Sequence, residues 1–185
     1  MPRYQRVIVW AMVSVLTTVT LPYILWAQEG ERLTDFRNRD SYTDEELATA
    51  LFPLEMGTRQ VNRDVSQPQQ NGVALKVFFE TNSANIMPQY FPDLDKLGRV
   101  LTLLQYSETR LLIAGYTDNV GSDTYNLALA ERRAASIKQY LVQKFSNIAP
   151  ERLTVKGYGK ANPIEDNSTP EGRAKNRRIV VTSLE

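Results

Sequence analysis

Apolar and polar positions recur with clear periods between residues 73 and 182. Val73-Ala74-Leu75-Lys76-Val77-Phe78-Phe79 is dense in apolar, β-favouring residues and predicts a strand. Between Pro88 and Tyr106, Leu94, Leu97, Leu101 and Leu104 recur at three- and four-residue intervals, with Asp93, Asp95, Lys96 and Arg99 placed elsewhere; this is the pattern of an amphipathic helix. Leu111-Leu112-Ile113-Ala114 reads as a second strand. From Asn126 to Phe145, the positions Leu127, Ala130, Ala134, Ile137 and Leu141 form one buried stripe of a second helix. Leu153-Thr154-Val155-Lys156-Gly157 alternates as a third strand. Asn162-Pro163 and Thr169-Pro170 then break the chain, Gly172 to Arg177 predicts a helical turn, and Ile179-Val180-Val181-Thr182 the last strand. The order β-α-β-α-β-β predicts an α+β fold, with two helices packed on one face of a mixed four-stranded sheet.

The pattern changes before residue 73. Arg3 and Arg6 precede an apolar run from Val7 to Ala27, long enough to span a bilayer as a helix. It predicts an N-terminal apolar export helix over residues 1–27, with two outcomes. One is a signal peptide cleaved at Ala27-Gln28-Glu29, with Pro22 ending the helix. The other is a signal-anchor left in the inner membrane. Either outcome exports the remainder to the periplasm and cell envelope, because the two arginines hold the short N-terminus inside. Residues 28–72 read as an acidic spacer, with nine acids against five arginines. Ser41 or Thr43 is placed to cap a short helix near 43–52, whose first turn carries Asp44, Glu45 and Glu46. Leu47, Leu51 and Phe52 give that helix a small apolar face, suited to docking on the domain or to a membrane or envelope partner. Gln67-Pro68-Gln69-Gln70-Asn71-Gly72 reads as a linker, and residues 73–185 as the folded domain.

Composition narrows the chemistry. The chain has neither Cys nor His, which removes cysteine nucleophiles, Ser-His-Asp triads, His- or Cys-ligated zinc and lipid attachment through an N-terminal cysteine. Residues 73–185 hold fifteen bases against twelve acids, too small an excess for a nucleic-acid surface. No cofactor and no metal are expected.

One feature remains unexplained by packing. Asp118 follows the second strand, in a loop where Asn119 and Gly121 permit a tight turn, and Arg133 lies on the helix beyond it, flanking the buried stripe. From geometry alone an ordinary ion pair is the simpler reading. An acid held apart from a base has another use. It clamps a zwitterion, the carboxylate taking an ammonium and the guanidinium a carboxylate. Acid–base catalysis fits less well, because Asp118, Asp123 and Glu131 show no sign of a cleft with separated carboxylate pKa values.

Several spaced motifs occur in one order: Val77-Phe78-Phe79, Gly115-Tyr116-Thr117-Asp118-Asn119-Val120-Gly121, Tyr125-Asn126-Leu127-Ala128-Leu129-Ala130-Glu131-Arg132-Arg133-Ala134, Gly157-Tyr158-Gly159 and Asn176-Arg177-Arg178. Together, over about residues 73–185, they resemble the OmpA-like C-terminal domain family. The resemblance implies a non-enzymatic module of the Gram-negative envelope, at the outer membrane or in the periplasm, that binds peptidoglycan through the diaminopimelate of the stem peptide. It implies that Asp118 receives the ammonium and Arg133 the carboxylate, and that Asn85 and Arg177 flank the pocket. Thr117 and Val120 would line it, Val120 through its backbone, and Asn126 would shape the loop. Taken singly, Asn85 reads as a turn residue, and Arg177 and Arg178 as solvated charges beside an edge strand. The family commonly has His where this chain has Tyr116, which implies altered packing rather than lost binding. A lipoprotein member needs a cysteine, a barrel member needs many strands, and a flagellar stator member needs an acid in its membrane helix. The chain offers none of these, which leaves a small exported wall binder; a homodimer is compatible with it.

Overall fold

Parallel strands joined through a helix organise the molecule. The computed structural model describes residues 24–27, 31–53, 70–75, 77–79 and 82–184. In chain order the elements are β1 (Ile24–Ala27), β2 (Glu31–Asp35), α1 (Asp44–Leu51), β3 (Gln70–Leu75), α2 (Phe91–Thr102), β4 (Arg110–Tyr116), α3 (Asp123–Lys144), β5 (Leu153–Gly159), α4 (Pro170–Asn176) and β6 (Ile179–Leu184). They form one mixed sheet in the order β1-β2-β3-β6-β4-β5. The pairs β2/β3 and β4/β5 are parallel, and the pairs β1/β2, β3/β6 and β6/β4 antiparallel. The four expected strands are β3, β6, β4 and β5. Two short strands extend the sheet beyond β3, β2 from the acidic segment and β1 from the end of the apolar run before it.

The expected stripes are what the core buries. Leu94, Leu97 and Leu101 of α2 and Ala134, Ile137 and Leu141 of α3 pack with Val73, Leu75, Leu111, Ile113, Leu153, Ile179 and Val181 on one face of the sheet. α1 joins them through Leu47 and Leu51. Of its two candidate caps Thr43 serves: its Oγ1 accepts from Glu46 N–H at 3.1 Å, while Glu46 Oε2 accepts from Thr43 N–H at 2.8 Å. The opposite face carries a smaller cluster of Leu33, Ala74, Ala114 and Val180.

Some boundaries differ from expectation for local reasons. β3 begins at Gln70, inside the expected linker, and stops at Leu75 rather than Phe79, because Val77 N–H folds back onto Leu75 C=O at 3.0 Å. Phe79 instead makes an isolated antiparallel bridge with Ile86. Leu127 is half-exposed and Leu129 buried in its place. At Leu127 it is the backbone that meets the sheet: a Cβ on Gly157 would sit 2.5 Å from Leu127 O. Gly115 serves likewise, since a Cβ there would lie 2.1 Å from Ala130 O. These two glycines seat α3 directly on β4 and β5. β6 lies between β3 and β4, so it is an interior strand rather than an edge. Most of the expected export helix lies outside the described residues; Ile24–Ala27, its last residues, are extended as β1. Among the described residues no helix is long and apolar enough to cross a membrane.

Candidate functional site

The parallel strands β4 and β5 end side by side, and a loop leaves β4 there for α3. Thr117 ties this loop to the neighbouring strand, its N–H donating to Gly159 C=O at 2.8 Å. Its hydroxyl donates to Asp118 C=O at 3.0 Å, and the side chain is buried. Asp118 then folds on itself in an Asx turn, Oδ1 accepting from Val120 N–H at 3.1 Å. Buried Asn126 closes the turn, its Nδ2 donating to Val120 C=O at 2.8 Å. Gly121 takes a φ of +98°, which its missing side chain permits. Ser122 caps α3 by accepting from Tyr125 N–H. Val120 N–H thus holds the carboxylate directly and Thr117 and Asn126 hold the loop that carries it, while the Val120 side chain stands in solvent.

Arg133 comes from the next turns of α3 and is only 7% exposed. Its Nε donates to Ser83 C=O at 3.0 Å, and its guanidinium lies 5.0 Å from the centre of the Phe79 ring. It forms no ion pair with Asp118. That carboxylate pairs instead with Arg177, Oδ2 to Nη1 at 2.8 Å. Burial and the nearby Arg177 pull the Arg133 pKa below the usual guanidinium range, against the opposing charges of Tyr125 and Asp118. Arg133 is a desolvated cation with one donor engaged by a described residue and its other N–H groups at the site.

A cavity of about 30 Å³ opens between these elements, lined by Val77, Phe78, Phe79, Tyr116, Arg133, Arg177 and Arg178. It admits a head group rather than a ring. Asn85 is not brought into it: its N–H donates to Ser83 Oγ at 2.9 Å, and its side chain is exposed and outside the cavity wall. Of the residues singled out in the sequence, Arg133 and Arg177 line the cavity, and Asp118 joins it through Arg177. The sequence reading missed Val77, Phe78, Phe79, Tyr116 and Arg178 as cavity residues. The aromatic pair Phe78-Phe79 ahead of a polar loop was the available signal for two of them. Among the described residues no three of His, Cys, Asp and Glu stand close enough to share a metal ion.

A family profile described as the OmpA family matches residues 78–177, more than half of the chain. The chain belongs to the OmpA family. The match spans every site residue named from the sequence, from Asn85 to Arg177. Outer membrane porin F of Pseudomonas fluorescens is 40% identical over 107 residues, covering 58% of this chain and 32% of that protein. Peptidoglycan-binding protein ArfA of Mycobacterium bovis is 39% identical over 106 residues, covering 57% and 31%. Among solved structures, the peptidoglycan-associated lipoprotein from Burkholderia pseudomallei superposes with a TM-score of 0.53 at 26% identity, covering 58% of this chain and 88% of that one. The chain spans about a third of the length of these two curated OmpA-family relatives.

Proposed function

We propose that the protein binds diaminopimelate-type peptidoglycan non-covalently at this site, without hydrolysing it, and so links an envelope component to the wall. One observation carries the reading: Arg133 is buried at the cavity wall with a single donor engaged among the described residues, while Asp118 pairs with Arg177 instead of with it. A free amino-acid terminus fits that separation. Its carboxylate bonds Arg133, and its ammonium takes the Asp118 oxygen that Arg177 holds in the free protein. Thr117, Val120 and Asn126 keep Asp118 in place, and Asn85 lies on the loop whose Ser83 carbonyl orients Arg133. The names of the mycobacterial relative and the Burkholderia lipoprotein support a wall ligand. A binding role also suits the chemistry of Asp118, whose two oxygens are both engaged, one by a backbone N–H and one by a guanidinium. The porin relative supports a place in the cell envelope. α1 already buries Leu47, Ala48 and Leu51 against the domain, so a protein partner of residues 28–72 would meet its polar side.

The test is co-sedimentation with purified sacculi of the diaminopimelate type. Asp118→Ala and Arg133→Ala are each expected to abolish binding. Retention of binding by both variants sinks the assignment, and release of soluble fragments by the wild type would make the protein a hydrolase.

A further inference from the structure

Arg178 begins where the matched family region ends, and its environment is unusual for a cation. It is 5% exposed and lines the same cavity as Arg133. Its Nη1 and Nη2 donate to the backbone carbonyls of Asn176 at 3.4 Å and Asn162 at 3.0 Å. Its Nε–H is buried and has no hydrogen-bond partner among the described residues. Among the described residues it forms no ion pair, and Asp35, a carboxylate whose charge acts on it, is bound to Arg37. Burial brings its pKa down to about 10, with Tyr116 and Asp35 opposing and Arg37 assisting. A buried cationic donor without a partner is costly to keep, so its retention calls for a use.

A stack of side chains holds this guanidinium in place. Lys156 Nζ lies 4.6 Å from the Tyr158 ring centre, the Tyr158 and Tyr116 rings are parallel at 5.1 Å, and Arg178 Cζ lies 3.7 Å from the Tyr116 ring centre. The four residues come from adjacent strands or the residue just before one, β5, β4 and β6, on the face away from the helices. Arg178 occupies one face of Tyr116 and Tyr158 the other. The aromatic pair is therefore a brace for the cation rather than an open platform for a flat ligand.

The cavity admits one head group, yet three guanidinium-bearing residues border it, and the Asp118 carboxylate is claimed by Arg177. We propose that Arg178 is a second guanidinium for the carboxylate that enters this cavity beside Arg133, with Tyr116 as its positioning residue. The inference rests on the reading of the site as a clamp for an amino-acid terminus. It selects an ionised carboxylate against the isosteric carboxamide, because only the anion offsets the surplus charge. It also gives Tyr116, where the family commonly has His, a role in the site.

The experiment uses the full-length chain and two stem tripeptides, whose free diaminopimelate terminus ends in a carboxylate or in a carboxamide. Arg178→Met is expected to weaken the carboxylate peptide about tenfold, which is about 1.4 kcal/mol, and to leave carboxamide affinity within about twofold. Tyr116→Leu should weaken the carboxylate peptide about threefold, again selectively. Equal losses for both peptides in Arg178→Met would reduce Arg178 to a structural role, and no loss for either would remove it from the site. A readout independent of any variant is the side-chain Nε–H resonance of Arg178 in the wild type. It should move with the carboxylate peptide and not with the carboxamide; a resonance unmoved by both overturns the inference. Failure of the wild type to bind the carboxylate peptide at all would instead remove the clamp reading itself.

Discussion

The two ends of the β4–β5 pair each bury an arginine, and they treat it in opposite ways. Where the strands begin, Arg152 is 7% exposed and directs Nε, Nη1 and Nη2 at the carbonyls of Thr109, Leu101 and Tyr106, at 3.1, 3.3 and 2.6 Å. Those carbonyls lie where α2 ends and the chain turns toward β4; that of Tyr106 also accepts from Thr109 N–H at 3.1 Å, while for those of Leu101 and Thr109 the guanidinium supplies the donor the helix end lacks. Where the strands end, Arg133 is also 7% exposed but gives one donor to Ser83 and rests on Phe79. Burial is the same; satisfaction is not. The first cation closes a helix end; the second is the one proposed to take an anion. Burial alone therefore does not mark a functional arginine, whereas its remaining donors do.

Exchanging each for methionine, which keeps bulk and removes charge, separates the two cases. Arg152→Met removes three charge-assisted hydrogen bonds, leaving the Leu101 and Thr109 carbonyls without that donor, and should lower stability by about 3 kcal/mol. In thermal unfolding that is a fall of roughly 6–12 °C for a chain of this size. Ligand affinity of the folded protein should stay within about twofold. Arg133→Met should leave stability unchanged or raise it by up to about 1 kcal/mol, because it removes a buried charge that has no ion pair among the described residues. Its cost falls on binding to sacculi, at least about a hundredfold. If both variants unfold alike and bind alike, the distinction between the two ends fails.

That distinction was half legible in the sequence. The periodic leucines of α2 and the alternation of β5 located the elements, because burial on one face dictates period. The same logic put Asp118 on a loop and Arg133 beside a buried stripe. The partners of those charges were not legible. Arg177 reaches Asp118 from 59 positions away, and its approach depends on β6 lying beside β4. Strand order has no local signature, so Arg177 and Arg178 read as solvated charges beside an edge, while β6 in fact lies inside the sheet and Arg178 is buried. β2 escaped notice for a related reason. Glu31-Arg32-Leu33-Thr34-Asp35 offers one apolar side chain to the sheet, too few to set a period.

A third buried arginine sharpens the comparison because it has its own carboxylate. Arg37 binds Asp35 through Nε at 2.8 Å and Nη2 at 2.6 Å and also donates to Lys175 C=O, tying β2 to the last turn of α4 just ahead of Arg177 and Arg178. Asp35→Asn should cost about 2 kcal/mol at neutral pH, less than the 3–5 typical of a broken buried pair because the amide oxygen still accepts from Arg37. Burial raises the Asp35 pKa, but the hydrogen bonds and charge of Arg37 outweigh it and hold the carboxyl below its ordinary 3.8. A lowered folded-state value means that the stabilisation is complete above the unfolded value and lost as pH falls through the folded one. The gap in unfolding free energy between wild type and Asp35→Asn should thus be constant from pH 7 to about 5 and close in stronger acid. A gap that widens in acid would reverse the sign assigned to Asp35.

The smallest effect isolates burial from bonding. Arg99 and Asp44 join α2 to α1 with the same two-bond geometry, Nε to Oδ2 at 2.7 Å and Nη2 to Oδ1 at 2.9 Å. Their side chains are 51% and 42% exposed, against 8% and 7% for Arg37 and Asp35. Water competes for every donor in the exposed pair, and holding two long side chains together costs entropy. Arg99→Met should therefore change stability by no more than about 0.5 kcal/mol, and the difference should fade toward zero in about 1 M salt. A loss equal to that of Asp35→Asn would mean that hydrogen-bond geometry, not desolvation, sets the worth of an arginine in this protein. The contrast between Arg133 and Arg152 would then have to be read from bond number alone.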